Sequence, residues 1–228
     1  MKRNPKPPDV NTARGRPPAA PAPAEPLSRE RIVLAALEEV HAQGLAAFST
    51  RRLAQRLGCE AMSIYHYFPS KRHLFDALVD HAIASIEWAP PELPPLEQLR
   101  AILYRYRAMA HRYPALYPLI ALHRLNTETG VRYIERVLRH VRAALPDPER
   151  AARHFRTIGY YLTGAALDET AGYANGPSAA EPVDNAFIAR ECPTLAASAR
   201  YFQRDAWDET FALGVEAMLA AVQRDAAS

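Results

Sequence analysis

The sequence has 228 residues, 49% hydrophobic and 23% charged, with a formal net charge of +3. A chain of this kind builds one or two compact domains and buries roughly 70% of its unfolded surface, which excludes a wholly disordered protein. No apolar run nears the roughly 18 residues a membrane span needs, no secretory h-region is visible, and Cys59 and Cys192 make neither a CxxC pair nor a disulfide framework. The expectation is a soluble cytoplasmic protein without a membrane partner.

Residues 1–26 hold eight of the 20 prolines, and five Lys/Arg against two Asp/Glu. Proline repeated with alanine cannot build a core, so this stretch reads as a disordered basic arm. The charge is nearly balanced over 27–81 and slightly negative beyond, so the positive excess sits at the front. A basic front on a neutral body fits a polyanion-binding head with a separate partner module.

Ser28 reads as the N-cap of a first helix, with Ile32, Val33, Ala36, Leu37 and Val40 at three- and four-residue spacings and a stop at Gly44. Ser49 opens a second helix over Thr50–Leu57, whose inner face is Leu53, Ala54 and Leu57. Gly58 supplies a tight turn before a short third helix over Ala61–Tyr67. Pro69 and Ser70 open a fourth from Lys71, carrying Leu74, Phe75, Leu78, Val79 and Ile83. Pro90, Pro91, Pro94 and Pro95 mark a change of domain. Helical patterns follow over Glu97–Arg112, Ala115–Leu125, Glu128–Leu145, Pro148–Tyr173 and Ala206–Arg224, with a loop over Asn175–Pro193 that holds a short helix around Val183–Ala189. No segment alternates with period 2 for long. The predicted class is all-α: an arm over 1–26, a helix-turn-helix head over 27–85 and a larger helical body over 86–228.

Helix, Gly-centred turn and short helix over Ser49–Tyr67 fit a helix-turn-helix, but by periodicity alone they fit a corner of a bundle equally well. The residues decide between them. The run Phe48-Ser-Thr-Arg-Arg-Leu-Ala-Gln-Arg-Leu-Gly58, followed by Ile64-Tyr-His-Tyr-Phe-Pro-Ser-Lys-Arg-His-Leu74, resembles the DNA-binding domain of TetR-family (TetR/AcrR) transcriptional regulators over about residues 28–85. The resemblance implies a homodimer that reads a palindromic DNA operator and is released by a small-molecule effector.

Carried over by position, Arg51 reaches a guanine edge and Thr50 a phosphate. Ala61, Met62 and Ser63 take the base-reading positions, the first two facing thymine methyls. Tyr65, His66 and Tyr67 donate to phosphates, and Lys71 adds charge at a helix N-terminus. Glu60 departs from the Ser or Thr of many members. As an acceptor it repels phosphate and selects cytosine N4. In the arm, Arg14-Gly15-Arg16-Pro17 is similar to the core of minor-groove AT-hook peptides.

The body resembles the family's ligand-binding and dimerisation domain, with Phe211–Val222 similar to a last helix that pairs with the helix around Ile158–Thr170 across the dimer. Gly159, Gly164, Ala165 and Ala166 are small enough to let helices approach closely. Polar groups on otherwise apolar helices, the candidates for an effector pocket, are Tyr106, His111, His123, Asn126, Tyr160, Tyr161 and Asp168. The tyrosines between 104 and 117 favour a flat or hydrophobic ligand.

Two rivals stand beside this reading. Glu38-x-x-His41 has the form of a di-iron ligand pair, but only one such motif is present and di-iron bundles need two plus further Glu. The nucleotide-binding, nucleophile-elbow and zincin motifs do not occur, so no catalytic residue, metal or cofactor is expected. The other rival keeps the helix-turn-helix fold but binds protein instead of DNA.

Overall fold

The computed structural model describes residues 26–172, 176 and 179–227, and among them the regular structure is entirely helical. The head is α1 (Arg29–Gln43), α2 (Thr50–Leu57), α3 (Ala61–Tyr67) and α4 (Lys71–Ala84). The body is α5 (Pro95–Arg112), α6 (Tyr117–Leu122), α7 (Glu128–Ala144), α8 (Pro148–Thr170), α9 (Asn185–Glu191), α10 (Pro193–Ser198) and α11 (Trp207–Ala226), with two 3₁₀ turns between α10 and α11.

Local chemistry explains most boundaries. The Ser28 hydroxyl accepts from the Arg31 N–H and that of Ser70 from His73, while Thr127 and Asp147 cap α7 and α8 in the same way. Ser49 precedes α2 as expected but makes no side-chain cap bond. Gly58 ends α2 in the left-handed region at φ +68°, where a side chain is disfavoured. In α3, Ile64 is buried, and Phe68 is buried just beyond it.

Several body elements differ from expectation. The helix expected over Ala115–Leu125 shortens to Tyr117–Leu122, because the chain turns at His123 and Leu125 takes a left-handed φ of +52°. The short helix expected around Val183–Ala189 is α9, shifted by two residues and capped by Asp184, and a further helix, α10, that the sequence reading did not anticipate opens at Pro193. Within the chain the tight contact of α8 and α11 is at Gly214, while the close approach expected at Gly159 and Gly164 is one across a dimer. A Cβ on either would meet nothing within 4 Å, whereas a Cβ on Gly214 would lie 2.2 Å from Cζ of Tyr161. Tyr161 crosses from α8 to α11 there and donates to the Phe211 carbonyl at 3.0 Å.

One hydrophobic core runs through head and body. Ile32, Ala36, Leu53, Ile64, Phe68 and Leu74 fill the head, and Leu99, Ile102, Leu103, Tyr117, Phe211 and Val215 the body. Helix α4 packs on both α1 and α7 and so belongs to both halves.

Candidate nucleic-acid interface

In a helix-turn-helix the first helix braces the second, and the brace here uses charge as well as packing. Arg52 on α2 donates from Nε to Glu39 of α1 at 2.8 Å and also to the Ala47 carbonyl, and Arg56 pairs with Glu38. Two arginines of α2 thus serve the head itself. Arg51 is exposed and, among the described contacts, its guanidinium has no partner in the chain. Thr50 beside it is half-buried at the helix start. Glu38 of the Glu38-x-x-His41 pair is tied to Arg56, and no group of three or more potential metal ligands occurs among the described residues.

The outer face of α3 is unusual for its composition. Met62 is 64% exposed and Tyr65 37%, with His66 exposed beside them and Ala61 and Ser63 half-buried. Met62 and Tyr65 side by side on a seven-residue helix fit a surface that is covered in use. Glu60 precedes the helix, exposed and without a cap bond.

Tyr67 differs from its expected role as a phosphate donor. Its hydroxyl donates inward to the Leu27 carbonyl at 2.7 Å, and its own carbonyl accepts from Arg29, whose guanidinium lies 4.2 Å over the Phe68 ring. The end of α3 is therefore clamped to the start of the folded chain. Sequence reasoning missed Arg29, and the contact is legible only once α1 and α3 are known to cross. Lys71 is the first residue of α4, as expected. Its ammonium donates to the Phe48 carbonyl at 3.2 Å and sits 5.2 and 5.1 Å from the Phe48 and Phe75 ring centroids, leaving two donors open. Arg72 and His73 are exposed in the same first turn. They too escaped the sequence reading, though the run Ser70-Lys-Arg-His was its signal.

The residues proposed from sequence for an effector pocket do not line one cavity. Tyr106 lies in a closed aromatic core, accepting from the Tyr117 hydroxyl at 3.2 Å and stacked 6.4 Å from Tyr133. Burial pushes the Tyr106 phenol up from its ordinary value, against the hydrogen bond with Tyr117. His111 bonds Glu169 at 2.6 Å beside a cavity of about 440 Å³ shared with Arg107, Arg204 and Trp207. His123 and Asn126 line a different cavity, of about 840 Å³, between α4 and the α6–α7 connection. Tyr160 (65% exposed) and Asp168 lie on the outer face of α8 and are withdrawn as pocket residues, and Tyr161 is the strut between helices described above. For His111, His123 and Tyr161 the reason is physical: each is satisfied by a partner far along the chain.

The wall between head and body carries its own polar lattice. His123 Nδ1 accepts from the Leu125 N–H at 3.0 Å, which leaves Nε2–H to donate to Asp76 of α4 at 3.1 Å. The Thr127 hydroxyl donates to Asp80, one turn further along α4. Gly130 closes the arrangement, since a Cβ there would lie 2.7 Å from backbone atoms of Leu125.

Against known proteins, the family described as bacterial regulatory proteins, tetR family, matches residues 32–78, and the tetracyclin repressor-like C-terminal domain matches 91–225. The chain belongs to the TetR family. It is a transcriptional regulator of the ligand-responsive kind, with the helix-turn-helix head and larger helical body of that fold. It is 32% identical to the transcriptional repressor DrrR1 of Streptomyces coeruleorubidus over 158 residues, 68% of this chain and 57% of that protein's length. It is 27% identical to the class A tetracycline repressor of Escherichia coli over 202 residues, 83% of this chain and 87% of that one. Its fold superimposes on ActR of Streptomyces coelicolor in complex with actinorhodin with a TM-score of 0.69 at 27% identity, covering 87% of this chain and 96% of ActR.

Proposed function

We propose that this TetR-family regulator works in the cytoplasm as a homodimeric repressor, reading a palindromic operator with residues 27–85 and releasing it when a small molecule binds residues 86–228. Arg51 is assigned to a guanine edge, Ala61, Met62 and Ser63 to base edges, and Thr50, Tyr65, His66 and Lys71 to phosphates. Tyr67 is reassigned to holding α3 in place. The observation that carries this reading is the outer face of α3, with Met62 and Tyr65 exposed and Arg51 unpaired while its neighbours on α2 are tied down. Nothing in this reading calls for catalysis.

Dimerisation is assigned to the exposed face of α8 and α11, supported by Tyr160, by Leu213 at 74% exposure and by Gly159 and Gly164, whose open flanks leave room for a partner helix. The effector is inferred to be flat and largely apolar. Support comes from solved relatives whose structures hold actinorhodin or minocycline.

The test is titration of the purified chain against duplex from upstream of its own coding sequence, with an unrelated duplex as control. Selective binding that falls steeply with salt is expected. Arg51→Ala should weaken it by 10- to 100-fold, the value of one bidentate guanine contact being about 1–3 kcal/mol. Salt-insensitive binding, or no effect of Arg51→Ala on a selective complex, would overturn the assignment.

A further inference from the structure

We infer that the cleft between α4 and the α6–α7 connection binds an organic anion with an apolar body, and that this occupant competes with the operator for Lys71. The inference rests on the operator-reading head assigned above and adds a place and a chemistry for the effector. The cleft holds a cavity of about 840 Å³, within the range of small-molecule sites and nearly twice the 440 Å³ beside His111. Lys71, Arg72 and Arg124 line it against a single carboxylate, Asp76, which already accepts from His123 at 3.1 Å. The lining is therefore two charges positive. Arg14 and Arg16 of the basic arm lie outside the described residues, whereas these cations all lie within them.

Several arginines elsewhere in the body carry carboxylate partners. Arg100 binds Glu97 and Glu216, Arg107 binds Glu169 and Asp208, and Arg139 and Arg153 bind the glutamates one turn before them. Arg72 and Arg124 are exposed and, among the described contacts, meet no acceptor. Lys71 meets a carbonyl and two aromatic rings but no carboxylate. Cations gathered on one concave wall repel one another and gain from a shared anion, which guanidinium forks take in two-pronged fashion. The same wall is apolar on its other side. Phe75 and Leu119 are half-buried there, and Leu122 is 87% exposed, more than any other large apolar side chain among the described residues. A bare inorganic anion would leave these three in water. An acyl chain or ring laid against them covers them while its acidic group meets the cations.

The connection that carries Arg124 is fixed before any ligand arrives. His123 accepts from the Leu125 N–H at 3.0 Å, Thr127 donates to Asp80, and Gly130 sits tight against the Leu125 backbone. Those contacts leave the side chains of Arg124 and Asn126, both exposed, as the open polar groups of that wall. A wall set in advance loses little entropy on binding. Lys71 joins the cleft to DNA. It lines the cavity and is also assigned to an operator phosphate, and one ammonium cannot serve two anions in full. By linkage the loss is mutual: the factor that the occupant takes from operator affinity is the factor that the operator takes from the occupant's.

The probe is decanoate, with decan-1-ol as its neutral counterpart and acetate as its headgroup alone. Each is titrated by calorimetry into the full chain without DNA. Decanoate should bind, and the other two should bind at least about tenfold more weakly, one lacking the charge and the other the apolar body. Arg124→Gln should weaken decanoate by about tenfold, and Leu122→Glu, which sets a carboxylate on the wall, by as much or more. Both positions are exposed, so thermal unfolding should not change. Arg139→Gln, outside the cleft, should bind decanoate as the parent does. In a second arm, saturating decanoate should lower operator affinity about tenfold, and Arg124→Gln should need about tenfold more decanoate for the same effect. No decanoate binding, equal binding of decan-1-ol, binding that survives both cleft substitutions, or an operator complex indifferent to saturating decanoate would each overturn the inference. So would an Arg124→Gln protein whose operator affinity and salt slope fall without ligand, because the cations of the cleft would then serve DNA phosphates. A chain that binds no DNA selectively refutes the operator reading, and the calorimetry then decides the cleft by itself.

Discussion

Glu169 should be the most costly single charge to remove from the body. It is among the few buried charged residues, and it accepts from Arg107 Nε at 2.7 Å and Nη2 at 3.1 Å and from His111 Nε2 at 2.6 Å. Arg107 continues to Asp208 of α11 at 2.7 Å and lies 4.7 Å over the Phe211 ring, so one network ties α5, α8 and α11 together. Burial opposes the charge on Arg107, but the bonds to Glu169 and Asp208 outweigh it and hold the guanidinium above its ordinary value. Glu169→Gln keeps the volume and removes the charge, leaving Arg107 with only the exposed Asp208. Breaking a buried pair costs about 3–5 kcal/mol, and the surviving Asp208 contact brings the expectation to about 3 kcal/mol. For a chain of this size that is a fall of about 6–12 °C in Tm. The assay is thermal and urea unfolding at pH 7 and fixed protomer concentration, because dimerisation adds to apparent stability. The double variant R107M/E169L should recover most of the loss, since a buried pair replaced by apolar groups is often neutral. A Glu169→Gln protein within about 0.5 kcal/mol of the parent, comparable to an ordinary surface change, would refute the reasoning.

Three further substitutions probe the same structure. Gly130→Ala puts a Cβ 2.7 Å from the Leu125 backbone, which cannot swing aside; an overpacking cost of about 2–3 kcal/mol less about 1 kcal/mol of helix propensity gives a net loss of about 1–2 kcal/mol in urea unfolding. A stabilised Gly130→Ala would show that Leu125 does not hold its left-handed conformation there. Gly214→Ala displaces the Tyr161 ring, so it should cost about 1–2 kcal/mol alone and nothing further in a Tyr161→Ala background, read as a double-mutant cycle. His140 is held below its ordinary value, first by burial and then by Arg136 and Arg139, so below about pH 6.5 the unfolded chain takes up the proton more readily. Its contribution is complete above that pH and is lost as pH falls, and His140→Asn should flatten that part of the pH–stability curve. An unchanged slope would show that the imidazole is solvated.

Sequence periodicity and punctuation reached the head almost residue by residue. Thr50–Leu57 ends at the left-handed Gly58 and Ala61–Tyr67 ends just ahead of Pro69 and Ser70, because glycine and proline punctuate the chain locally. The body was legible as helices but not as a set of contacts. Nothing near Glu169 in sequence announces Arg107, 62 residues away, so His111 looked free to meet a ligand when it was already bonded. Tyr67 misled for the same reason: a phenol on a reading helix is a phosphate donor until Leu27, 40 residues away, claims it.

Packed on both α1 of the head and α7 of the body, α4 is placed to link ligand and DNA. Its inner face is apolar and continuous with the core, which resists sliding, while Asp76 and Asp80 fasten it to His123 and Thr127 at either end of the turn that Leu125 makes. A left-handed leucine costs about 1–2 kcal/mol and persists only while its surroundings enforce it. That places a strained turn directly against the helix that positions the head, along the cavity of about 840 Å³ lined by both. A ligand shifts the spacing of two heads only by its difference in affinity for two states, and about 1.4 kcal/mol of difference is tenfold in operator binding. The strain in one residue is of that order. A ligand that relieved or deepened that strain in one of the two states would change operator binding by about tenfold.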